Sequence, residues 1–162
     1  MGNAPSTTSR SSPRALQASS GIASRRDTAR AMSQENVEIV RNFVKVWNAR
    51  DMEGVRELYD PDAVMVVEVD WPEAGPFVGR DAVMEQQNQA RAAFDSDSVE
   101  FLSDPVTVGD RVIVRIAWRG VGSGPQSDME WTNVFTVRDG RILKAEYFWN
   151  HAEALEAAGL SE

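Results

Sequence analysis

The side chains that could do chemistry in this 162-residue chain are few in kind. There is no cysteine, there is one histidine, and 25 acidic residues stand against 17 basic ones. Without cysteine there is no disulfide, thiolate zinc site, iron–sulfur cluster or thiol nucleophile. A single histidine excludes a histidine-rich metal site, and no metal or other cofactor is expected. Carboxylates, amides and aromatic rings remain. Asn133 lies between Trp131 and Phe135 on one parity of an alternating run. An amide on an apolar face needs a partner, either a ligand or another side chain. Glu68 and Asp70 sit where a β-branched run passes into a loop, at a pocket mouth or in solvent. Glu146 has the opposite parity to Leu143, Ala145, Tyr147 and Trp149. It therefore points into a pocket or pairs across strands with Arg115 or Arg119. His151 falls in the first turn of a helix, where surface is the default. Trp47, Trp71, Trp118, Trp131 and Trp149 are pocket material, and equally at home in a core or a dimer interface. Trp71, in a proline-rich loop, reads as a lid.

The elements that must position these groups follow from periodicity. Val37, Val40, Val44 and Trp47 recur at helical spacing and predict a helix over Ser33–Arg50, with Ser33 as N-cap. Asp51 caps a second helix through Leu58 and Tyr59, and Asp60-Pro61-Asp62 breaks it. Ala63–Val69 reads as a strand, Asp70–Gly79 as a loop, and about Arg80 to Phe94 as a third helix. The period then changes to two. Strands are expected over Val99–Val108 (disturbed at Asp104-Pro105), Arg111–Arg119, Met129–Arg138 and Arg141–Trp149. Asp139-Gly140 is a two-residue hairpin turn. Asn150 caps a short last helix, with Glu153 three residues on. Helices segregated from an antiparallel sheet define an α+β fold. Gly120–Gly124 lies between two strands and opens no helix, so it is not a phosphate cradle.

The net charge of −8 is uneven. Residues 1–31 hold five arginines and one acid, net +4, and residues 32–162 carry −12. The first segment has no aromatic residue and only Leu16 and Ile22 as large aliphatics, so it is expected to be disordered. Its composition fits an organelle transit peptide, a basic arm for an acidic partner, or a start codon placed too early. The last is preferred, because Met32-Ser33-Gln34-Glu35-Asn36 reads as a natural beginning. The folded domain is then 32–162. Its acidity argues against nucleic acid, no apolar run approaches the ~18 residues of a membrane span, and there is no secretory h-region. A cytoplasmic location is expected.

Three stretches carry a family likeness: Met32–Val37 through Trp47-Asn48-Ala49-Arg50-Asp51 to Glu57–Val64; Phe77-Val78-Gly79-Arg80-Asp81-Ala82-Val83; and Asn133–Ile142, with Ala154–Leu160 at the end. Over residues 32–160 the chain resembles a SnoaL-like protein of the nuclear transport factor 2-like superfamily. That resemblance implies a cone, with a curved antiparallel sheet wrapped on about three N-terminal helices and a short C-terminal helix. It also implies a pocket at the wide end and a homodimer. Such proteins include ketosteroid isomerases, polyketide cyclases and limonene-type epoxide hydrolases. Set on the isomerase pattern, the tyrosine of the first helix falls at Phe43, and the base at Val67, or at Glu68 with a one-residue shift. The buried acid falls at Asn133, an oxygen-polarising donor. On the epoxide hydrolase pattern Arg115 matches the arginine, the acid two residues later is Ala117, and Glu146 matches the acid near the end of the last strand. The expected lining comprises Phe43, Trp47, Tyr59 and Val67 from the first half. Trp71, Trp118, Trp131 and Trp149 complete it. The function implied is binding of a small apolar, polyketide- or terpenoid-like molecule, with cofactor-independent acid–base chemistry by Glu146 or Glu68. The other reading is a non-catalytic homodimeric module.

Overall fold

The computed structural model describes residues 12–68, 75–122 and 127–160, apart from the side chains of 12–24 and 127. Helix α1 runs Ser12–Asn48. It starts well before Ser33, which is internal rather than a cap. Ala29-Arg30-Ala31-Met32 are good helix formers, and nothing at Ser33 interrupts them. Residues 12–31 are thus helical, within the segment 1–31 for which the composition suggested disorder, and 25–32 are exposed throughout. The chain divides into Met1–Gln34 and Glu35–Glu162, and the fold described next is that of the second unit.

The apolar stripe of α1 buries Val40, Phe43 and Trp47. Asp51 caps α2 (Met52–Leu58), its carboxylate accepting from the Gly54 N–H at 3.0 Å. Strand β1 (Tyr59–Val66) follows at once. Asp60-Pro61-Asp62, expected to break α2, follows the end of that helix and lies within β1 as an irregularity, the register against the last strand shifting between Tyr59 and Val64. A two-residue strand, β2 (Phe77–Val78), pairs antiparallel with β1 inside the stretch expected to be loop. Helix α3 spans Arg80–Ala92.

The strand expected over Val99–Val108 is two, β3 (Ser96–Phe101) and β4 (Val106–Val108), both paired with β5 (Arg111–Val121). Pro105, which has no N–H to give, stands at the break. Ser103 Oγ accepts from the Arg115 N–H at 3.0 Å and the Leu102 N–H donates to the Arg115 carbonyl at 2.8 Å, so the gap stays stitched to β5. Strands β6 (Ser127–Arg138) and β7 (Arg141–Phe148) meet at Asp139 and Gly140, both with positive φ (53° and 79°), as a two-residue primed turn requires. Helix α4 (His151–Ala157) starts at Asn150, whose side chain accepts from the Glu153 N–H at 3.1 Å.

The result is an α+β fold on an open, curved, seven-stranded sheet of order β2-β1-β7-β6-β5-β3, with β4 beside β5. All pairs are antiparallel except β1–β7, which runs parallel. Strand alternation divides the side chains between two faces. The inner face carries Val112, Val114, Ile116, Trp131, Phe135 and Tyr147 against α1 and α3. On the outer face, Ile113 and Val134 pack under Ala154 and Ala158 at the C-terminal helix. Among the described residues no helix is long and apolar enough to cross a membrane, and no cluster of His, Asp or Glu is arranged to hold a metal ion.

Candidate functional site

The inner alternation of β5, β6 and β7 brings Ile116 and Trp118, Met129, Trp131 and Asn133, and Tyr147 to one wall of a cavity of about 340 Å³. Phe43 and Trp47 of α1, with Gln86 and Gln87 of α3, form the facing wall. The size is that of a pocket for a small molecule. The rings contact one another as well as the space. Phe43 stacks on Trp47 with centroids 6.0 Å apart, and Phe94 meets Trp118 edge-on at 4.9 Å.

Few polar groups reach this space. Gln87 Nε2 donates to the Tyr147 hydroxyl and to the Met65 sulfur, each at 3.4 Å. The Trp131 indole N–H donates to Asn133 Oδ1, and Asn133 Nδ2 donates to the Glu146 carbonyl at 3.4 Å. The partner that Asn133 needed is therefore supplied by the protein itself. Burial pushes the Tyr147 hydroxyl up to about 12, with the Gln87 hydrogen bond pulling the other way. Burial, with Tyr147 nearby, also raises Tyr59 well above its ordinary value. Both phenols are neutral at physiological pH. Among the described residues, none that lines the cavity carries a charge or an imidazole.

The residues expected at the site are only partly brought together. Phe43, Trp47, Trp118, Trp131 and Asn133 line the cavity. Glu146 pairs with Val134, and Arg115 with Thr132, on the outer face of the sheet. There Glu146 lies 3.7 Å from Lys144 Nζ, and Arg115 lies 3.4 Å from Glu130. Strand parity is the cause: Asn133 and Tyr147 face inward, so their neighbours Val134 and Glu146 face outward. Glu68, half-buried two residues past β1, is not on the lining, and neither is Val67, which packs at the edge of the core. Tyr59 is fully buried in the core beside Phe43. Its hydroxyl has no hydrogen-bond partner among the described residues. Trp149, one residue past β7, is 38 % exposed. Trp71 lies outside the described residues. His151 Nδ1 is 3.0 Å from Thr132 Oγ1 on the outer face.

Several residues on the lining and behind it went unread in the sequence. Gln86, Gln87 and Arg91 occupy the buried stripe of α3 along with Val83 and Met84, and polar side chains at core spacing in a helix were the available signal. Asp97 shares its parity with Val99 and Phe101, a pattern hidden when residues 95–98 are read as the end of a helix.

Residues 40–145 match the SnoaL-like domain, and the chain belongs to that family. A protein from a soil-derived mobile gene cassette has a similar structure, with TM-score 0.65 and 23 % identity, covering 74 % of this chain and 99 % of its own. A candidate polyketide cyclase from Sinorhizobium meliloti matches with TM-score 0.57 and 27 % identity, over 68 % of this chain and 93 % of that one. A candidate SnoaL-like polyketide cyclase from Jannaschia matches with TM-score 0.62 and 20 % identity, over 81 % and 96 %. No curated protein matches the sequence.

Proposed function

We propose that this protein binds a flat, largely apolar, ring-bearing small molecule in the cavity between the sheet and helices α1 and α3. The carrying observation is the lining: three tryptophans, two phenylalanines and a tyrosine around about 340 Å³, with only amides and a phenol for polarity. Aromatic walls favour a planar ligand through stacking and edge contacts. Gln87, Tyr147 and Gln86 offer hydrogen bonds to a carbonyl or hydroxyl on its rim. A polyketide-type ring system is the class suggested by the Sinorhizobium relative. Amides and a neutral phenol can hold an oxygen, but they take no proton at neutral pH. With Glu146 and Arg115 on the far face of the sheet, the reading is binding without acid–base turnover. A homodimer belongs to this reading as well, and light scattering after size exclusion tests it.

The test is intrinsic tryptophan fluorescence titrated with flat polycyclic phenols and quinones, alongside steroids and acyclic terpenoids. Saturable quenching by the flat compounds is the expected result. No saturable quenching by any of them would overturn the proposal. Turnover of a quenching ligand would overturn the non-catalytic part alone.

A further inference from the structure

Two of the tryptophans that wall the cavity have their indole N–H groups taken up behind it, by one carboxylate. Trp47 Nε1 donates to Asp97 Oδ2 at 2.7 Å, and Trp118 Nε1 donates to the same oxygen at 2.9 Å. The second oxygen, Oδ1, accepts from Arg91 Nε at 3.0 Å and lies 2.9 Å from Arg91 Nη2. Arg50 Nη1 reaches it at 3.3 Å. The Asp97 side chain is fully buried, and that of Arg91 is 5 % exposed. Asp97 is not itself on the cavity lining.

The arrangement joins four elements at one point. Trp47 comes from α1, Arg91 from α3, Asp97 from β3 and Trp118 from β5. Arg91 also lies over the Trp47 ring, 4.5 Å from its centroid, and donates to the Trp47 carbonyl at 2.6 Å. Trp47 is therefore held by its ring face, its N–H and its backbone. A buried carboxylate is costly unless its lone pairs are filled and a cation is beside it. Here two indoles and Arg91 meet both conditions. Removing the acceptor would leave two buried donors unsatisfied, and such groups must find water or turn.

We infer that Asp97 is the positioning residue of the cavity: by accepting from Trp47 and Trp118 it fixes both ring planes and so sets the width of the slot for a flat ligand. The inference rests on the reading of the cavity as a ligand site. Asp97 does not touch the ligand and acts through the two tryptophans. With their N–H edges spent on Asp97, these rings offer the cavity carbon faces and edges only. The slot is therefore selective for shape rather than for hydrogen-bonding groups at that end.

The test uses the full chain and the neutral flat dye pyrene, read together with the indole N–H resonances in ¹H–¹⁵N spectra. Trp47→Phe and Trp118→Phe assign the two relevant signals. In Asp97→Leu, which keeps the side-chain shape and leaves neither oxygen, dye affinity is expected to fall about tenfold or more as the rings lose their fixed orientation. The two assigned indole signals are expected to move upfield and exchange faster with water, while that of Trp149 stays in place. Unchanged affinity with unmoved indole signals would overturn the inference. Should Asp97→Leu fail to fold, Asp97→Glu keeps the charge and displaces the acceptor. Weaker dye binding with shifted indole signals then supports the inference, and wild-type affinity with unmoved signals overturns it. If the wild-type protein binds neither this dye nor any of the flat compounds named above, the ligand reading falls, and the indole signals alone decide whether Asp97 fixes the two rings.

Discussion

Trp131 and Tyr147 stack across the β6–β7 ladder, with centroids 5.6 Å apart and planes 8° from parallel. The pair follows from register. Asn133 sits directly opposite Tyr147, and Trp131 is two residues away on the same face, within reach of a diagonal cross-strand contact. The indole N–H of Trp131 is used by Asn133, so one side chain both builds the wall and satisfies the buried amide. Trp131→Ala should cost about 3 kcal/mol in urea unfolding, the low end for a buried aromatic because one side already faces a cavity. It should also weaken binding of flat ligands about tenfold. A stable variant with unchanged affinity would remove this wall from the site.

The outward placement of Glu146 and Arg115 gives a contrasting expectation. Each takes part in a partly exposed ion pair, with Lys144 and Glu130 respectively. Such pairs contribute little. Glu146→Gln and Arg115→Lys should each change stability by about 0.5 kcal/mol or less and leave ligand affinity unaltered. A large loss of binding in Glu146→Gln, measured by tryptophan quenching, would show that this carboxylate reaches the ligand after all.

How far the sequence led can be judged at these same residues. The period-two runs from Arg111 to Phe148 and the Asp139-Gly140 turn specified the hairpins, because alternation and turn chemistry are local properties. Asn133, Trp118 and Trp131 stand on the inner parity of those runs, and Trp47 on the apolar stripe of α1, so their places on the cavity wall follow from local periodicity. Glu146 was ambiguous because parity divides a strand into two faces without saying which is inner. Packing of Ala145 and Tyr147 into the core with residues of α1 and α3 decides that. Asp97 was missed because its partners lie 50 residues before it and 21 after it in the chain. No local pattern encodes such a convergence. The early start of α1 is the opposite case: the propensity of residues 29–32 was legible but outweighed by the poverty of apolar side chains.

The two tyrosines, the only ones in the chain, give a pH prediction. Burial holds the neutral form of both, with Tyr147 at about 12 and Tyr59 well above its ordinary value. For an acid whose folded value is raised, the unfolded state loses its proton first. The associated stability is therefore complete below pH ~10 and is lost as pH rises through the folded values. For Tyr147 this amounts to about 3 kcal/mol. At pH 11 the native protein should show almost no tyrosinate absorbance near 295 nm, while the urea-unfolded chain shows most of two. Full ionisation in the native state at pH 11 would mean that these phenols are solvated.

We propose that residues 1–31 add nothing to the fold of the second unit. Residues 25–32 are exposed along their whole length, and the division between units falls at Gln34 and Glu35. A chain beginning at Met32 should keep its melting temperature within about 2 °C and its ligand affinity within about twofold, since exposed residues such as 25–31 contribute little. A drop of more than about 5 °C, which corresponds to over 1 kcal/mol at this size, would show that the segment packs on the domain.

Gly120 tests the wall that Phe94 forms. It sits opposite Asp97 on β5, and a Cβ built there would lie 2.7 Å from Cγ and Cδ1 of the Phe94 ring. That contact falls on the body of a rigid ring, which is in turn held edge-on against Trp118. Gly120→Ala therefore forces Phe94 to move, at about 1–3 kcal/mol for an overpacked site. Phe94 borders both the main cavity and a smaller cleft of about 220 Å³ beside Arg50 and Arg91, so the ring has somewhere to go. If it swings into that cleft, part of the cost is recovered, but the cavity loses one wall and Trp118 loses its edge contact. Thermal unfolding should then show a modest decrease, and binding of a flat ligand a larger one. Crystallography of the variant would locate the displaced ring. A variant with wild-type stability and affinity would mean that the strand backs away from Phe94 instead, and that this wall is softer than its packing implies.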